Sequence, residues 1–163
     1  MSINNSPDFL VLARHCEPID DDPKSALSDE GKQQAAVLAC AIQRFMSAGR
    51  KKDGTIISST APRASQTTRI LAESLRFPRV FSRELERGYP EDIMDKLDNL
   101  YRMVTIVVGH EPSLQQILYA MGLTPPNEYL DQYSRTISFG LLRHGQAYVI
   151  DYTNDKKVTR LPD

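Results

Sequence analysis

Three short aliphatic runs, each stopping abruptly at polar residues with an arginine or histidine close behind, constrain this chain more than any other feature. Leu10-Val11-Leu12-Ala13 runs into Arg14-His15-Cys16-Glu17, Thr55-Ile56-Ile57 into Ser58-Ser59 and then Arg63, and Val104-Thr105-Ile106-Val107-Val108 into Gly109-His110. Runs of this length, nearly continuous in apolar character, read as strands covered on both faces, which is the pattern of a parallel sheet. In an open parallel α/β sheet the residues just past the carboxyl ends of the strands line one shared crevice. Two arginines and two histidines therefore meet there, a set suited to a phosphoryl group, with one imidazole free to act as nucleophile.

The stretches between these runs carry helical signals. Ser28-Asp29-Glu30-Gly31 opens a long pattern with Ser28 as N-cap and apolar positions at Ala35, Leu38, Ala39, Ile42 and Phe45, and Gly49 with Arg50-Lys51-Lys52 marks its end. Pro62 starts a second helix over Arg63 to Leu75, and Pro112 to Met121 forms another that ends at Gly122. Pro78 to Phe81 is a short strand or irregular, and Pro90 opens a helix through Leu97 and Leu100. Near the end, Thr136 to Leu142 and Ala147 to Tyr152 flank His144-Gly145-Gln146 and read as an antiparallel hairpin. The expected fold is three-layer α/β/α, with a mainly parallel sheet, helices on both faces and a C-terminal antiparallel hairpin at one edge.

At 163 residues the chain suits one domain, 1–163, around one core. A formal net charge of -1, from 20 basic and 21 acidic residues, leaves no electrostatic footprint for nucleic acid or an anionic membrane. Anionic substrates must be attracted locally. The two cysteines, Cys16 and Cys40, match neither a disulfide framework nor a zinc-ligand spacing, so a reducing cytoplasm is expected. Residues 1–8 lack the basic and apolar regions of a signal peptide, and no run approaches a membrane span.

Arg14 at a strand end is hard to bury without an anionic partner, so it marks an oxyanion site. Neutral His15 beside it can attack phosphorus and split one transfer into two steps. Arg63 falls in the first turn of a helix, where free backbone N–H groups and the dipole already favour an anion. His110 supplies a second imidazole to stabilise charge on the phosphoryl oxygens. Other features carry bland readings: Arg143-His144-Gly145 is a structural turn, Asp20-Asp21-Asp22 a solvated loop, and Cys16 a small side chain filling space beside the nucleophile.

Leu12-Ala13-Arg14-His15, Leu27-Ser28-Asp29-Glu30-Gly31, Ser58-Ser59 to Arg63-Ala64-Ser65-Gln66-Thr67 and Val108-Gly109-His110-Glu111-Pro112 together resemble the histidine phosphatase superfamily, the phosphoglycerate mutase-like enzymes. The likeness spans Phe9 to Leu118 in order, with Cys16 where the family has Gly and Thr60 where it has Pro. It implies a phosphatase in which His15 is phosphorylated, Arg14, Arg63 and His110 hold the phosphate, and no metal or other cofactor takes part. Short length makes the chain most similar to small bacterial phosphohistidine phosphatases of the SixA type, whose substrate is a phosphorylated protein such as a histidine phosphotransfer protein. A small-molecule phosphomonoesterase or mutase with the same pocket, and a non-catalytic phosphate-binding module, remain as alternatives. The family places a general acid near Ser82 to Gly88, which makes Glu84 or Glu86 the candidate, with Glu17 as a third. Oligomeric state is not legible.

Overall fold

The structure is a computed structural model that describes residues 7–46, 53–87, 89–98, 103–125 and 141–162. Within these residues the elements are β1 (Phe9–Arg14), α1 (Asp29–Met46), β2 (Gly54–Ser59), α2 (Pro62–Leu75), β3 (Arg79–Ser82), α3 (Glu84–Arg87), α4 (Pro90–Asp98), β4 (Val104–Gly109), α5 (Ser113–Ala120), β5 (Ala147–Asp151) and β6 (Lys157–Leu161). The strands form one sheet in the order β3-β2-β4-β1-β5-β6. β1, β2, β3 and β4 run parallel, and β5 and β6 are antiparallel to their neighbours.

Alternation along each strand divides the core. Phe9, Val11 and Ala13 of β1 join Ile56, Val104, Ile106 and Val108 on one face, where Leu38, Ala39 and Ile42 of α1 and Leu71 of α2 cover them. Leu10, Leu12, Ile57 and Val107 point the other way, onto Leu85 of α3, Ile93 and Leu97 of α4 and Leu114, Ile117 and Leu118 of α5. Because successive side chains of a strand face opposite sides, both faces of β1 need apolar residues, which is why its sequence is continuous rather than alternating. Leu10 and Leu12 are wholly inaccessible, and burial on that scale contributes about 1.5–3 kcal/mol per side chain.

Register brings the strand ends level. Arg14 pairs with Gly109 across β1 and β4, and Ser58 with Val108 across β2 and β4. The crevice residues that follow, His15, Ser59 and His110, thus emerge side by side.

The expected C-terminal hairpin exists, but with a different partner. β5 turns back through Tyr152–Lys156 to pair with β6, while Leu141 and Leu142 lie in irregular backbone; residues 136–140 of the expected strand fall outside the described residues. The same holds for Leu100 and for Gly49 to Lys52. Pro78–Phe81 resolves into strand β3, edge-paired with β2.

Candidate active site

The loop after β1 is held rigidly before any chemistry is considered. His15 N–H donates to the Gly109 carbonyl at 3.0 Å, prolonging the parallel ladder by one residue. Cys16 N–H donates to the Thr67 hydroxyl at 3.0 Å, and that hydroxyl donates to the Arg63 carbonyl at 2.8 Å. Glu17 N–H donates to Gln34 Oε1 of α1 at 3.0 Å. The Ser28 hydroxyl caps α1 by accepting from Gly31 N–H at 2.9 Å and donates to the Glu17 carbonyl at 3.2 Å. Gly31 itself permits the close approach, since a Cβ there would lie 2.1 Å from that same carbonyl oxygen.

His15 is almost inaccessible, at 4% exposure. Its Nδ1 stands 2.8 Å from the Cys16 carbonyl oxygen. A carbonyl only accepts, so Nδ1 carries the proton and Nε2 keeps its lone pair. Burial pushes the imidazole pKa down to about 3, against the Cys16 hydrogen bond, and the charges of His110, Arg63 and His144 act in the same direction as burial. The ring is neutral at physiological pH, the form that can attack an electrophile.

His110 lies beside it, ring centroids 5.0 Å apart, and its Nε2 is 2.9 Å from the Ser59 hydroxyl. Ser59 Oγ also accepts Ala61 N–H at 3.2 Å, which fixes the hydroxyl at the foot of α2. Burial, then Arg63, pushes the His110 pKa down to about 4, while Glu86 opposes. Arg14 donates from Nη1 to the Leu142 carbonyl at 2.8 Å, and Arg63 Nη1 is 3.5 Å from the Asp22 carbonyl. The Nε atoms of both arginines are buried without a hydrogen-bond partner. The charge of Arg63 is felt at Arg14 and at both histidines, and that of Arg14 at His110. Two guanidiniums with free donors beside two neutral imidazoles make a pocket in want of an oxyanion.

Glu111 is a contributor that the sequence did not expose. Its carboxylate accepts Leu142 N–H at 3.0 Å and Gln115 N–H at 3.2 Å, tying the loop that carries the Arg14 acceptor to α5. Burial raises its pKa although both N–H groups and Arg14 lower it.

The candidate acids separate. Glu84 is exposed, and its carboxylate accepts from the Ser82 hydroxyl and from Lys96, 3.2 Å away. Those bonds, the Ser82 one foremost, pull its pKa down to about 2. Ser82 and Lys96 thus favour the charged form of Glu84, the form opposite to the one expected of a general acid. Glu86 is the one whose charge reaches His110, and Glu17 the one whose charge reaches His144.

The turn at Arg143–Gln146 is a tight turn, as expected, with Gln146 N–H donating to the Arg143 carbonyl at 3.1 Å and Gly145 at a φ of 71°. Its side chain is not idle: the His144 ring lies 5.1 Å from that of His15. The signal was the direction of β5, which cannot be read from the turn alone. Cys16 is wholly buried against Leu27 and Ala35, and burial pushes its thiol up to about 11, so it fills space as a neutral group. Asp20 and Asp22 accept backbone N–H groups of their own exposed loop.

No family model matches the chain, and no curated protein matches it in sequence. Solved structures do. The assigned SixA phosphohistidine phosphatase of Agrobacterium tumefaciens aligns over 95% of each chain at 21% identity with a TM-score of 0.66. A protein histidine phosphatase SixA complexed with tungstate aligns over 93% of each chain at 16% identity with a TM-score of 0.69. The assigned alpha-ribazole-5'-P phosphatase of Escherichia coli K-12 covers 93% of each chain at 18% identity with a TM-score of 0.62. The fold is thus the phosphoglycerate mutase-like α/β fold shared by these phosphatases.

Proposed function

We propose that the chain is a phosphatase that takes a phosphoryl group onto Nε2 of His15 and then passes it to water. The single observation that carries this reading is the 2.8 Å contact between His15 Nδ1 and the Cys16 carbonyl, which leaves Nε2 unprotonated on a ring that feels the charges of His110 and Arg63. Arg14 and Arg63 bind the phosphoryl oxygens, and His110, seated on Ser59, donates to the charge that develops there. Residues 1–163 act as one unit in this reading, and no cofactor is invoked.

The substrate we favour is phosphohistidine on a partner protein such as a histidine phosphotransfer protein; the SixA neighbours are described as phosphohistidine or protein histidine phosphatases. The absence of a proton on Glu84 supports it, because a phosphoramidate needs less help to leave than an alkyl phosphate. The charge of Glu86 at His110 favours a second reading, a small-molecule phosphomonoesterase like the ribazole-phosphate neighbour. Among the described residues no helix is long and apolar enough to cross a membrane. Free thiols at Cys16 and Cys40 fit a cytoplasmic setting.

The test compares release of phosphate from a phosphohistidine protein, from sugar and glycerate phosphates and from an aryl phosphate, with acid quenching to trap label on His15. His15→Ala is expected to abolish turnover and labelling while the protein stays folded. Retention of aryl phosphate hydrolysis by that variant overturns the mechanism, and preference for a small phosphomonoester overturns the substrate. Tight phosphate binding with no label on the wild-type protein would leave only a binding module.

A further inference from the structure

His144 has no part in the chemistry above, yet the sheet delivers it to the nucleophile. β5 is antiparallel to β1, so the residues that precede β5 stand at the crevice, together with the residues that follow β1. The ladder continues beyond both strands: Arg14 N–H donates to the Gln146 carbonyl at 2.9 Å, and Gly145 N–H to the His15 carbonyl at 3.4 Å. Residue 144 is therefore set across from Cys16. The turn is pinned from beneath, because a Cβ on Gly145 would meet Gln34 Cβ of α1 at 2.9 Å.

Two imidazoles consequently flank His15 at nearly the same distance, His110 at 5.0 Å and His144 at 5.1 Å. They are not equivalent. His110 is bonded to Ser59, whereas His144, half-buried, faces Glu17 and Asp21 as well as Arg14 and Arg63. His144 also lines a cleft of about 350 Å³ between Glu30, Gln34 and Val37 of α1 and Arg143 and Pro162 on the other side. Its ring thus adjoins both the nucleophile and this cleft.

Resting on the phosphatase reading, we propose that His144 is the proton-transfer residue of the reaction, and that the leaving group departs through the α1 cleft past its ring. In the first step His15 Nε2 forms a bond to phosphorus, the bond from phosphorus to the leaving oxygen or nitrogen breaks, and protonated His144 gives its proton to that atom. In the second, water attacks phosphorus, neutral His144 takes a proton from it, and the N–P electron pair returns to His15 as phosphate leaves. The ring ends protonated, ready for the next cycle. Burial first, then Arg14 and Arg63, press His144 toward its neutral form, while Glu17 and Asp21 favour the charged one, and a bound dianion adds to their side.

The experiment measures phosphorylation and dephosphorylation of His15 by rapid quench with radiolabelled aryl phosphates of graded phenol acidity, in the wild type, His144→Ala, His144→Gln and Glu86→Gln. Acid catalysis contributes about 10²–10⁴-fold, so both His144 variants should lose that much with weakly acidic phenols and little with strongly acidic ones. Phosphorylated His15 should also accumulate in them, because the second step slows. A uniform loss across the series, or none, overturns the proposal, and so does a steepened dependence in Glu86→Gln alone. His144→Gln keeps a donor of similar reach, so an unfolded His144→Ala does not spoil the comparison. Failure of the underlying phosphatase reading would look different: no label on His15 in the wild type.

Discussion

His15 and Cys16 are joined by a hydrogen bond that runs from the imidazole Nδ1 to the carbonyl of the very next residue, at 2.8 Å. The nucleophile's tautomer is set by its own backbone. Nitrogen-15 spectra should show Nδ1 protonated and Nε2 bare, with no change between neutral pH and about pH 5, given a pKa pushed down to about 3. A His15 ring that titrates near the ordinary value of about 6.5 would refute this.

The two arginine Nε groups that lack partners are a cost that an oxyanion can offset, since a buried unsatisfied donor costs about 1–3 kcal/mol. Phosphate or tungstate should raise the melting temperature of the wild type. Arg63→Ala should abolish most of that rise and lower kcat by about 10²–10³-fold, the usual cost of losing one such donor. Equal stabilisation of wild type and variant by tungstate would remove Arg63 from the pocket.

Acid should weaken the fold in a defined window. His15 and His110 are held at about 3 and about 4 when folded, against about 6.5 in an unfolded chain. Between these values the unfolded chain binds more protons, so stability is full above about pH 6.5 and is lost as pH falls toward 4 for His110 and toward 3 for His15. Urea denaturation at a series of pH values checks this, and His110→Asn should flatten the slope. An unchanged slope in that variant would show that the histidine does not carry it.

Gly31→Ala forces a Cβ against the Glu17 carbonyl, a backbone atom that cannot swing aside. Overpacking of this kind costs about 1–3 kcal/mol. Because the same carbonyl belongs to the loop carrying His15, kcat should fall together with the urea midpoint, which urea and activity assays on one preparation can show.

The strands β1, β2 and β4 were legible because both their faces are buried, which makes the apolar run continuous. Ser28, Pro62 and Gly122 were legible as punctuation, since each acts through local backbone chemistry. Arg14, His15 and His110 were read from strand ends and Arg63 from a helix start; the structure sets His15 beside His110, with the charge of Arg63 felt at both. What escaped depends on long-range pairing. β6 is short, with an exposed lysine and a half-buried arginine in its run, which hides it from an apolar pattern. Glu111 gave no sign that Leu142 would come to it, and Glu84 gave none that Lys96 would claim it.

The reversal of chain direction between β1 and β5 has a further meaning for how such a site can diversify. The side chains proposed to hold the oxyanion sit in segments that trail the parallel strands, whereas the His144 turn precedes a strand near the far end of the polypeptide. If His144 moves protons as proposed, exchange of that single side chain would retune which esters or phosphoramidates are turned over, while the turn's backbone keeps its bonds to Arg14 and His15.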